Sequence, residues 1–281
     1  MFKLIFNYLH FVKSQLLLFN VRLSFSNRIR VILGSLIKII LKPLQALNKK
    51  LYFKVRKSII RYLYENLIVG VNSKKFKIRD DIDLMTILAN EGIDEFFKVK
   101  GKIFLDIGAH IGKYSILYSD YWDKIYAFEP EPSNFGILTI NVNLNNLQDK
   151  IIPLNFAISD ENTEIDLFLS EYSVTHSIIN KQLSNSIKVK AISLDNFFKD
   201  FNINVEEVGL IKIDVEGAES LVLRGMRDSF SKFRGKLIIE IWENNIDSKK
   251  FIEKFLKNYG FVLKRIKGDY YLGYYENSSS K

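Results

Sequence analysis

The stretch K-I-F-L-D-I-G-A-H-I-G at residues 102–112 decides the fold of this 281-residue chain. Residues 103–105 form a short apolar run typical of a buried strand, and a helix-like stretch at residues 114–118 follows the glycines. Strand, glycine turn and helix in this order indicate the start of a nucleotide-binding βαβ unit. The spacing D-x-G-x-x-x-G lacks the second glycine of the dinucleotide motif, so a pyrophosphate ligand is not indicated.

A second candidate strand, residues 124–128, ends at Glu129, which is followed by Pro130-Glu131-Pro132. A carboxylate at this point of a βαβ unit can accept hydrogen bonds from both ribose hydroxyls. The alternative role for Glu129 is to cap the helix that starts near Ser133. Together, the glycine loop and the acid predict a ligand that contains a nucleoside.

Three blocks of the sequence resemble, in order, the FkbM-type S-adenosylmethionine-dependent methyltransferases. They are F-L-D-I-G-A-H-I-G at 104–112, Y-A-F-E-P-E-P-S-N-F at 126–135 and I-K-I-D-V-E-G-A-E-S-L-V-L-R-G at 211–225. The resemblance implies an α/β protein with the class I, Rossmann-like methyltransferase fold, built on a seven-stranded, mostly parallel sheet. Apolar runs separated by helix-like stretches agree with that fold and occur at 103–105, 125–128, 151–158, 208–213, 237–241 and 261–266, with a last strand at 270–275.

The resemblance also implies that S-adenosylmethionine is the cofactor and that acids and glycines at the carboxyl ends of the strands hold it. Asp106 would lie beside the cationic methionine part, Glu129 at the ribose and Asp160 at the adenine amino group. Asp160 equally suits a turn in S-D-E-N. The predicted ligand loop consists of Gly108, Ala109, His110 and Gly112.

Methylation of a hydroxyl releases a proton, so we expect a base at the same edge of the sheet. Asp214, which follows the apolar run at 210–213 with Lys212 two residues earlier, is the first candidate, and Glu240, inside I-I-E-I-W-E, is the second. The alternatives are that Asp214 caps the helix beginning near Ala218 and that Glu240 pairs with a lysine. The further candidates are Glu216, Glu219 and His176. We expect no metal ion, since a strand-to-helix turn cannot aim Asp214, Glu216 and Glu219 at one point.

The charge divides the chain into two regions, which we predict to be a basic amphipathic helical extension at 1–79 and the methyltransferase domain at 80–281. The first region carries seventeen lysines and arginines and one acid, a net charge of +16, whereas the second has a net charge of −7. The chain contains no cysteine, which excludes disulfides, thiolate metal sites and a cysteine nucleophile.

Helical periodicity in the extension predicts two basic amphipathic helices, one from residue 29 to 47 with a proline at 43, and one from 51 to 67. Such helices suit an anionic membrane surface. The alternatives are that they pack on the domain or on a partner subunit, or bind nucleic acid, which is the weaker alternative. The uncharged runs are too short to span a bilayer, and no small-residue cleavage site follows them, so we expect the segment to remain on the mature protein.

We therefore predict an S-adenosylmethionine-dependent O-methyltransferase that modifies a hydroxyl of a sugar, glycan or natural product. The two alternative functions are an RNA ribose methyltransferase and a non-catalytic membrane-associated module that keeps the fold. The expected location is the cytoplasm, including peripheral attachment to the cytoplasmic face of the membrane. The acceptor and the oligomeric state do not follow from the sequence.

Overall fold

The computed structural model describes residues 22–170, 175–179 and 185–276. The chain divides into two compact units, Met1–Ala89 and Asn90–Lys281. This division lies beyond the predicted boundary between residues 79 and 80. The physical reason is Asp81, which forms ion pairs with Lys38 and Arg56 at 2.7 and 2.6 Å and so ties the segment after residue 80 to the first unit.

The first unit contains the two predicted helices, α1 (Phe25–Leu47) and α2 (Lys49–Tyr64), while residues 1–21 of the predicted extension lie outside the described residues. Asn48 separates the helices, because its side chain accepts a hydrogen bond from the Leu51 amide and caps α2. None of the helices in the described ranges is both long enough and apolar enough to cross a bilayer.

The extension is not wholly helical, which corrects the sequence prediction for residues 67–79. These residues form an antiparallel hairpin of β1 (Leu67–Val71) and β2 (Lys74–Ile78), and a short helix, α3 (Asp81–Leu88), follows. The hairpin turn places Asn72 and Ser73 at positive φ, a conformation that Asn tolerates well. Alternating burial along β2 is what a half-buried strand requires.

The second unit contains the predicted seven-stranded sheet, whose order is β11-β12-β10-β9-β3-β4-β5. Strands β5, β4, β3, β9 and β10 are parallel, and β12 is antiparallel to both of its neighbours. This confirms the predicted fold class. Its strands are β3 (Gly101–Ile107), β4 (Trp122–Phe128), β5 (Ile151–Leu154), β9 (Val208–Ile213), β10 (Lys236–Glu240), β11 (Phe261–Lys267) and β12 (Tyr270–Tyr275).

The helices of this unit connect the strands and cover a sheet whose central strands are buried, as a parallel sheet requires. Phe104, Leu105, Ile211, Ile213 and Ile239 have no more than a trace of exposed surface. The helices are α4 (Lys113–Leu117), α5 (Pro132–Leu144), α6 (Leu194–Asp200), α7 (Glu219–Arg224) and α8 (Ile246–Asn258).

The apolar run at 151–158, predicted as one strand, is divided between two sheets. After β5, the Asn155 side chain donates hydrogen bonds to the carbonyl oxygens of Glu129 and Pro130 and turns the chain away. A second sheet follows, with the order β6-β8-β7. Its strands are β6 (Ala157–Ile158), β7 (Thr163–Phe168) and β8 (Ser186–Ile192). The sequence analysis missed β7 and β8, although both alternate polar and apolar residues with the period of a strand.

Candidate active site

The predicted ligand loop leaves the carboxyl end of β3 and lies against the ends of its two neighbours. The amides of Gly108 and Ala109 both donate to the Phe128 carbonyl at the end of β4. Gly108 has φ of +80°, and a Cβ atom there would lie 1.8 Å from the Asp214 carbonyl oxygen after β9. At Gly112 an added Cβ atom would come nearest to the end of the Leu138 side chain, at 2.7 Å, but φ of +90° also disfavours other residues. Both glycines are thus required by the conformation and packing of the protein itself.

Glu129 stabilises this loop from the end of β4. One carboxylate oxygen accepts a hydrogen bond from the His110 amide at 2.9 Å, and the other accepts from the Glu131 amide at 3.0 Å and the Asn134 side chain at 3.4 Å. His110 has φ of +50°, a conformation in which histidine is enriched. Burial raises the pKa of Glu129 to about 7, although the surrounding hydrogen bonds oppose the rise.

The helix-cap alternative for Glu129 is wrong, because Glu131 is the cap of α5. The Glu131 carboxylate accepts the hydrogen bond of the Asn134 amide at 2.7 Å. Glu129 therefore links the loop, through the His110 amide, to the start of α5, through the Asn134 side chain, without capping that helix.

Asp106 and Asp160, the other two acids predicted to contact a cofactor, lie in very different surroundings. Asp106 is completely buried in β3, where one carboxylate oxygen accepts hydrogen bonds from the amide and hydroxyl of Ser115 at 3.2 and 2.6 Å. Its other oxygen lies 3.7 Å from the Lys212 ammonium. Asp160 is exposed in the turn between β6 and β7, as its alternative role in S-D-E-N requires, and accepts a hydrogen bond from the Ser159 hydroxyl.

Lys212 holds the candidate base in place. Its side chain is almost fully buried, with the ammonium 3.1 Å from an Asp214 carboxylate oxygen and 3.4 Å from the Gly108 carbonyl oxygen. Burial alone would lower the pKa of Lys212, but Asp214 and Asp106 raise it overall, so the side chain is a permanent cation. The lysine thus connects the ends of β3 and β9 through opposite charges.

The N-cap alternative for Asp214 is also wrong, since no side chain caps α7 at its cap residue Ala218. Burial alone would raise the pKa of Asp214, but Lys212 and the hydrogen bonds from Glu240 and Tyr270 lower it. Burial and the neighbouring Asp214 raise the pKa of Glu240 far above its ordinary value. Near neutral pH, the pair therefore consists of an ionised Asp214 and a protonated Glu240 that donates to it.

Carboxylate oxygens of Asp214, Glu216 and Glu240 lie within 4.8 Å of one another. Glu219 does not join this cluster, as expected, but Glu240 from β10 takes its place, so the geometric reason does not by itself exclude a metal ion. Glu219 instead accepts a hydrogen bond from the Gly217 amide at 2.8 Å. The Lys212 ammonium already supplies a positive charge beside Asp214. That the reaction needs no metal stays a prediction.

Two residues that the sequence analysis did not assign complete the site. The Tyr270 hydroxyl, at the start of β12, lies 3.3 Å from an Asp214 oxygen and 3.2 Å from a Glu91 oxygen. Glu91 also accepts hydrogen bonds from the Tyr114 hydroxyl and, at 3.1 Å, from the Lys113 ammonium. No motif indicates Glu91, because it precedes β3 and reaches the site only through the folded chain.

His176, the further candidate base, has a local structural role in the described part of its loop. Its Nδ1 atom accepts a hydrogen bond from the Ser170 amide at 3.0 Å. The neighbouring Ser177 hydroxyl donates to the Glu216 carbonyl oxygen at 2.7 Å. The loop therefore contacts the turn after β9 through Ser177.

Residues 106–263 match the Methyltransferase FkbM domain, which is more than half of the chain. This protein belongs to the FkbM methyltransferase family. The match confirms the resemblance seen in the three sequence blocks. Glu91 and Tyr270 of this FkbM methyltransferase lie outside the matched residues. Both nevertheless contact the site that the matched residues form.

Several characterised methyltransferases are similar to this FkbM family member. It is 27% identical over 166 residues to the hexuronic acid methyltransferase AglP of Haloferax volcanii, covering 58% of this chain and 63% of that protein. It is 25% identical over 195 residues to the 2-O-methyltransferase NoeI of Sinorhizobium fredii, and the match covers 62% of this chain and 78% of that protein. The crystal structure of the FkbM methyltransferase from Methylobacillus flagellatus KT is 15% identical, with a TM-score of 0.45, and the match covers 69% of this chain and 52% of that one.

Proposed function

We propose that this FkbM methyltransferase transfers the methyl group of S-adenosylmethionine to a hydroxyl oxygen of a sugar. The observation that carries the proposal is the juxtaposition of two features at one edge of the sheet. A glycine turn held by Glu129 lies directly against the strand end that bears the ionised Asp214. A nucleoside-binding loop and a proton acceptor are the two components that methylation of a hydroxyl requires.

The residues at the turn fit S-adenosylmethionine. Glu129, at the end of β4, can accept hydrogen bonds from ribose hydroxyls when it is ionised, and the exposed carboxylate of Asp160 can accept one from an adenine amino group. One oxygen of the buried Asp106 carboxylate has no hydrogen-bond donor among the described residues, and the Lys212 ammonium near it is shared with Asp214. Two carboxylates beside one ammonium leave a negative balance that favours a cationic ligand. The cofactor supplies a methyl group already activated by a positively charged sulfur.

The chain itself has to orient the acceptor and remove its proton. As the acceptor oxygen forms its bond to the methyl carbon, its proton becomes strongly acidic, so a carboxylate with a lowered pKa is a sufficient base. Asp214 is ionised for this purpose by Lys212 and can receive that proton. The protonated Glu240 hydrogen-bonds to Asp214 and holds it in place.

Charge at the site favours a sugar over RNA as the acceptor. The two cations that contact the acids of the site, Lys212 and Lys113, are each paired with carboxylates, so neither is available to a phosphate backbone. The names of two relatives, a hexuronic acid methyltransferase and a 2-O-methyltransferase, agree with a sugar hydroxyl.

The experiment that tests this function supplies the full chain with S-adenosylmethionine carrying a labelled methyl group and a panel of acceptors. The panel contains neutral hexosides, hexuronic acids and RNA, and mass spectrometry locates the label. We expect a labelled methyl ether on a sugar. The same amount of product should form after the enzyme is treated with a chelator. Label on RNA ribose would replace the proposed acceptor class, and loss of activity that magnesium restores would show a metal requirement. Failure of a folded sample to bind S-adenosylmethionine would reject the enzyme.

Binding of S-adenosylmethionine should weaken below neutral pH because Glu129 must be ionised to accept both ribose hydroxyls. With the pKa of Glu129 at about 7, affinity should fall about tenfold for each pH unit below that value. Calorimetric titration over a pH series measures the effect. In Glu129→Gln the affinity should be lower throughout and should lose this dependence. A wild-type affinity that does not change with pH would contradict the assignment of Glu129 to the ribose.

Removal of the Tyr270 hydroxyl should change the pH dependence of turnover. Tyr270→Phe removes a hydrogen bond that lowers the pKa of Asp214, so the acid limb of the kcat profile should move to higher pH, and kcat should fall about tenfold. Tyr274→Phe, on the same strand, is the matched control and should leave the profile unchanged. A fall in kcat without a shift of the acid limb would mean that Tyr270 only supports the fold.

A further inference from the structure

We propose that α1 and α2 of the first unit form a docking surface for a bilayer that contains anionic phospholipid. The surface consists of an apolar stripe on α1 and a basic stripe on α2. The proposal is independent of the methyl acceptor, because it rests only on residues of the Met1–Ala89 unit.

The apolar stripe follows one face of α1 over its whole length. Phe25, Ile40 and Leu47 are the most exposed members, at 81%, 72% and 85% of their full surface. Spacings of three, four and seven residues place all members on one side of the helix. The stripe contains Phe25, Ile29, Ile32, Leu33, Leu36, Ile39, Ile40 and Leu47. Because α1 has 23 residues, the stripe is about 34 Å long.

The stripe is not the face that joins α1 to α2. That contact uses small residues on the opposite side, where Gly34 and Ser35 are buried. A Cβ atom at Gly34 would lie 2.9 Å from the Tyr64 ring of α2, so the two helices are in close contact there. Among residues 22–89, which the structure describes, the apolar stripe is therefore additional to the internal packing. Exposed apolar surface of this extent is typical of a binding site.

The basic stripe on α2 consists of Lys50, Lys54, Lys57 and Arg61, at helical spacings of four, three and four. All four side chains are exposed. From residue 25 to residue 64 the chain has ten lysines and arginines and no acid. Of these ten, Lys38 and Arg56 are neutralised inside the unit by Asp81. The excess positive charge of the basic stripe thus faces outward.

An anionic bilayer is the partner whose chemistry matches both stripes. Lipid headgroups supply the negative charge, and the boundary with the acyl chains accepts an apolar helix face lying in the plane of the membrane. A nucleic acid would match the lysines but would leave the stripe on α1 in water. A protein surface would have to supply a long apolar groove beside a row of acids, whereas a bilayer provides both over any length.

The test measures binding of the full chain to vesicles by sedimentation. One set of vesicles is phosphatidylcholine alone, and the other contains an equal amount of phosphatidylglycerol. We expect binding only to the anionic vesicles and a steep loss of binding as salt is added. Failure of the wild-type chain to bind these vesicles would overturn the proposal.

Two sets of substitutions separate the stripes. Replacing the basic stripe, Lys50, Lys54, Lys57 and Arg61, by Gln should weaken vesicle binding more than about a hundredfold, because each charge near an anionic surface contributes about fivefold. Ile40→Ser with Leu47→Ser should abolish retention even at low salt. The matched controls are Lys232, Lys254, Lys257 and Lys264 replaced by Gln, and Val99→Ser with Ile246→Ser, all exposed positions of the second unit. Both controls should bind as the wild type does.

Other outcomes would identify a different occupant and overturn the proposal. One such outcome is that the wild type fails to bind vesicles while loss of the apolar stripe lowers the mass of the assembly in solution. That result would identify a second copy of this chain as the occupant of the stripe. Tight RNA binding that depends on the basic stripe, again without vesicle binding, would indicate nucleic acid. Wild-type vesicle binding by both stripe variants would place the membrane contact elsewhere in the chain.

Hydrogen exchange on the wild-type chain keeps the proposal testable if a variant fails to fold. Peptides covering α1 and α2 should exchange more slowly when anionic vesicles are added, while those of α8 should not change. Equal exchange of the α1 and α2 peptides with and without these vesicles would contradict the proposed surface. Binding of S-adenosylmethionine, measured in parallel, reports on the methyltransferase unit and separates this result from the proposed function.

Discussion

Asp214→Asn is expected to lower kcat by about a hundred- to ten-thousandfold while S-adenosylmethionine still binds with nearly the wild-type affinity. The amide cannot take the proton of the acceptor hydroxyl, yet it has almost the same shape as the carboxylate. The variant also leaves Lys212 with Asp106 as its remaining anionic partner at the turn, so a modest loss of thermal stability should accompany the loss of turnover.

Single-turnover kinetics on the acceptor found in the labelling assay measure this effect. Asp123→Asn is a suitable control, because this exposed aspartate on β4 should change neither kcat nor affinity. Retention of wild-type kcat by Asp214→Asn would reject Asp214 as the base. Glu216→Gln would then be the next variant, since burial and the neighbouring Asp214 raise the pKa of Glu216 to about 8.

Gly108→Ala should destabilise the second unit by about 3 to 5 kcal/mol and eliminate binding of the nucleoside ligand. A methyl group there would meet the Asp214 backbone at 1.8 Å, in a conformation that L-residues rarely adopt. The turn can relieve the overlap only by moving away from β9, and this movement would disturb the contacts of Lys212 and of the His110 amide together.

Gly136→Ala adds the same methyl group but should increase the stability of the protein. Gly136 lies inside α5 with nothing within 4 Å of an added Cβ atom, so alanine should stabilise the protein by about 0.5 to 1 kcal/mol. Denaturant unfolding of the two variants tests the contrast. Equal stability of Gly108→Ala and the wild type would show that the turn adopts another conformation in solution.

Elements with short-range signals were predictable from the sequence. The D-x-G-x-x-x-G turn, the acid after β4 and the basic helices all depend on spacings of a few residues, and the structure contains each of them. The seven-stranded sheet followed because apolar runs alternate with helical stretches. The alternative that Glu129 caps α5 was wrong, because the cap is Glu131. The sequence does not separate the two acids, since they lie on either side of one proline.

The missing parts of the site depend on contacts between distant residues. Glu91 and Tyr270 approach Asp214 from opposite ends of the second unit, and nothing local distinguishes them from other acids and tyrosines. The convergence of Glu240 on Asp214, by contrast, was predictable, because both acids lie at the ends of neighbouring parallel strands, β10 and β9, at the same edge of the sheet. The small sheet was missed for another reason. Polar and apolar residues alternate in its strands, whereas the strands of the large sheet were predicted from continuous apolar runs. Half-buried strands contain no such runs.

The small sheet of β6, β7 and β8 has an evolutionary consequence. The described residues of this segment contribute no strand to the large sheet. Ser177 and Ile179, from the loop between β7 and β8, contact the Glu216–Gly217 turn of the site. Changes in this excursion can reshape what lies opposite Glu216 while the glycine turn and Glu129 remain intact. In evolution, acceptor preference can therefore change through substitutions in this one segment, while the half of the site built around Glu129 stays the same.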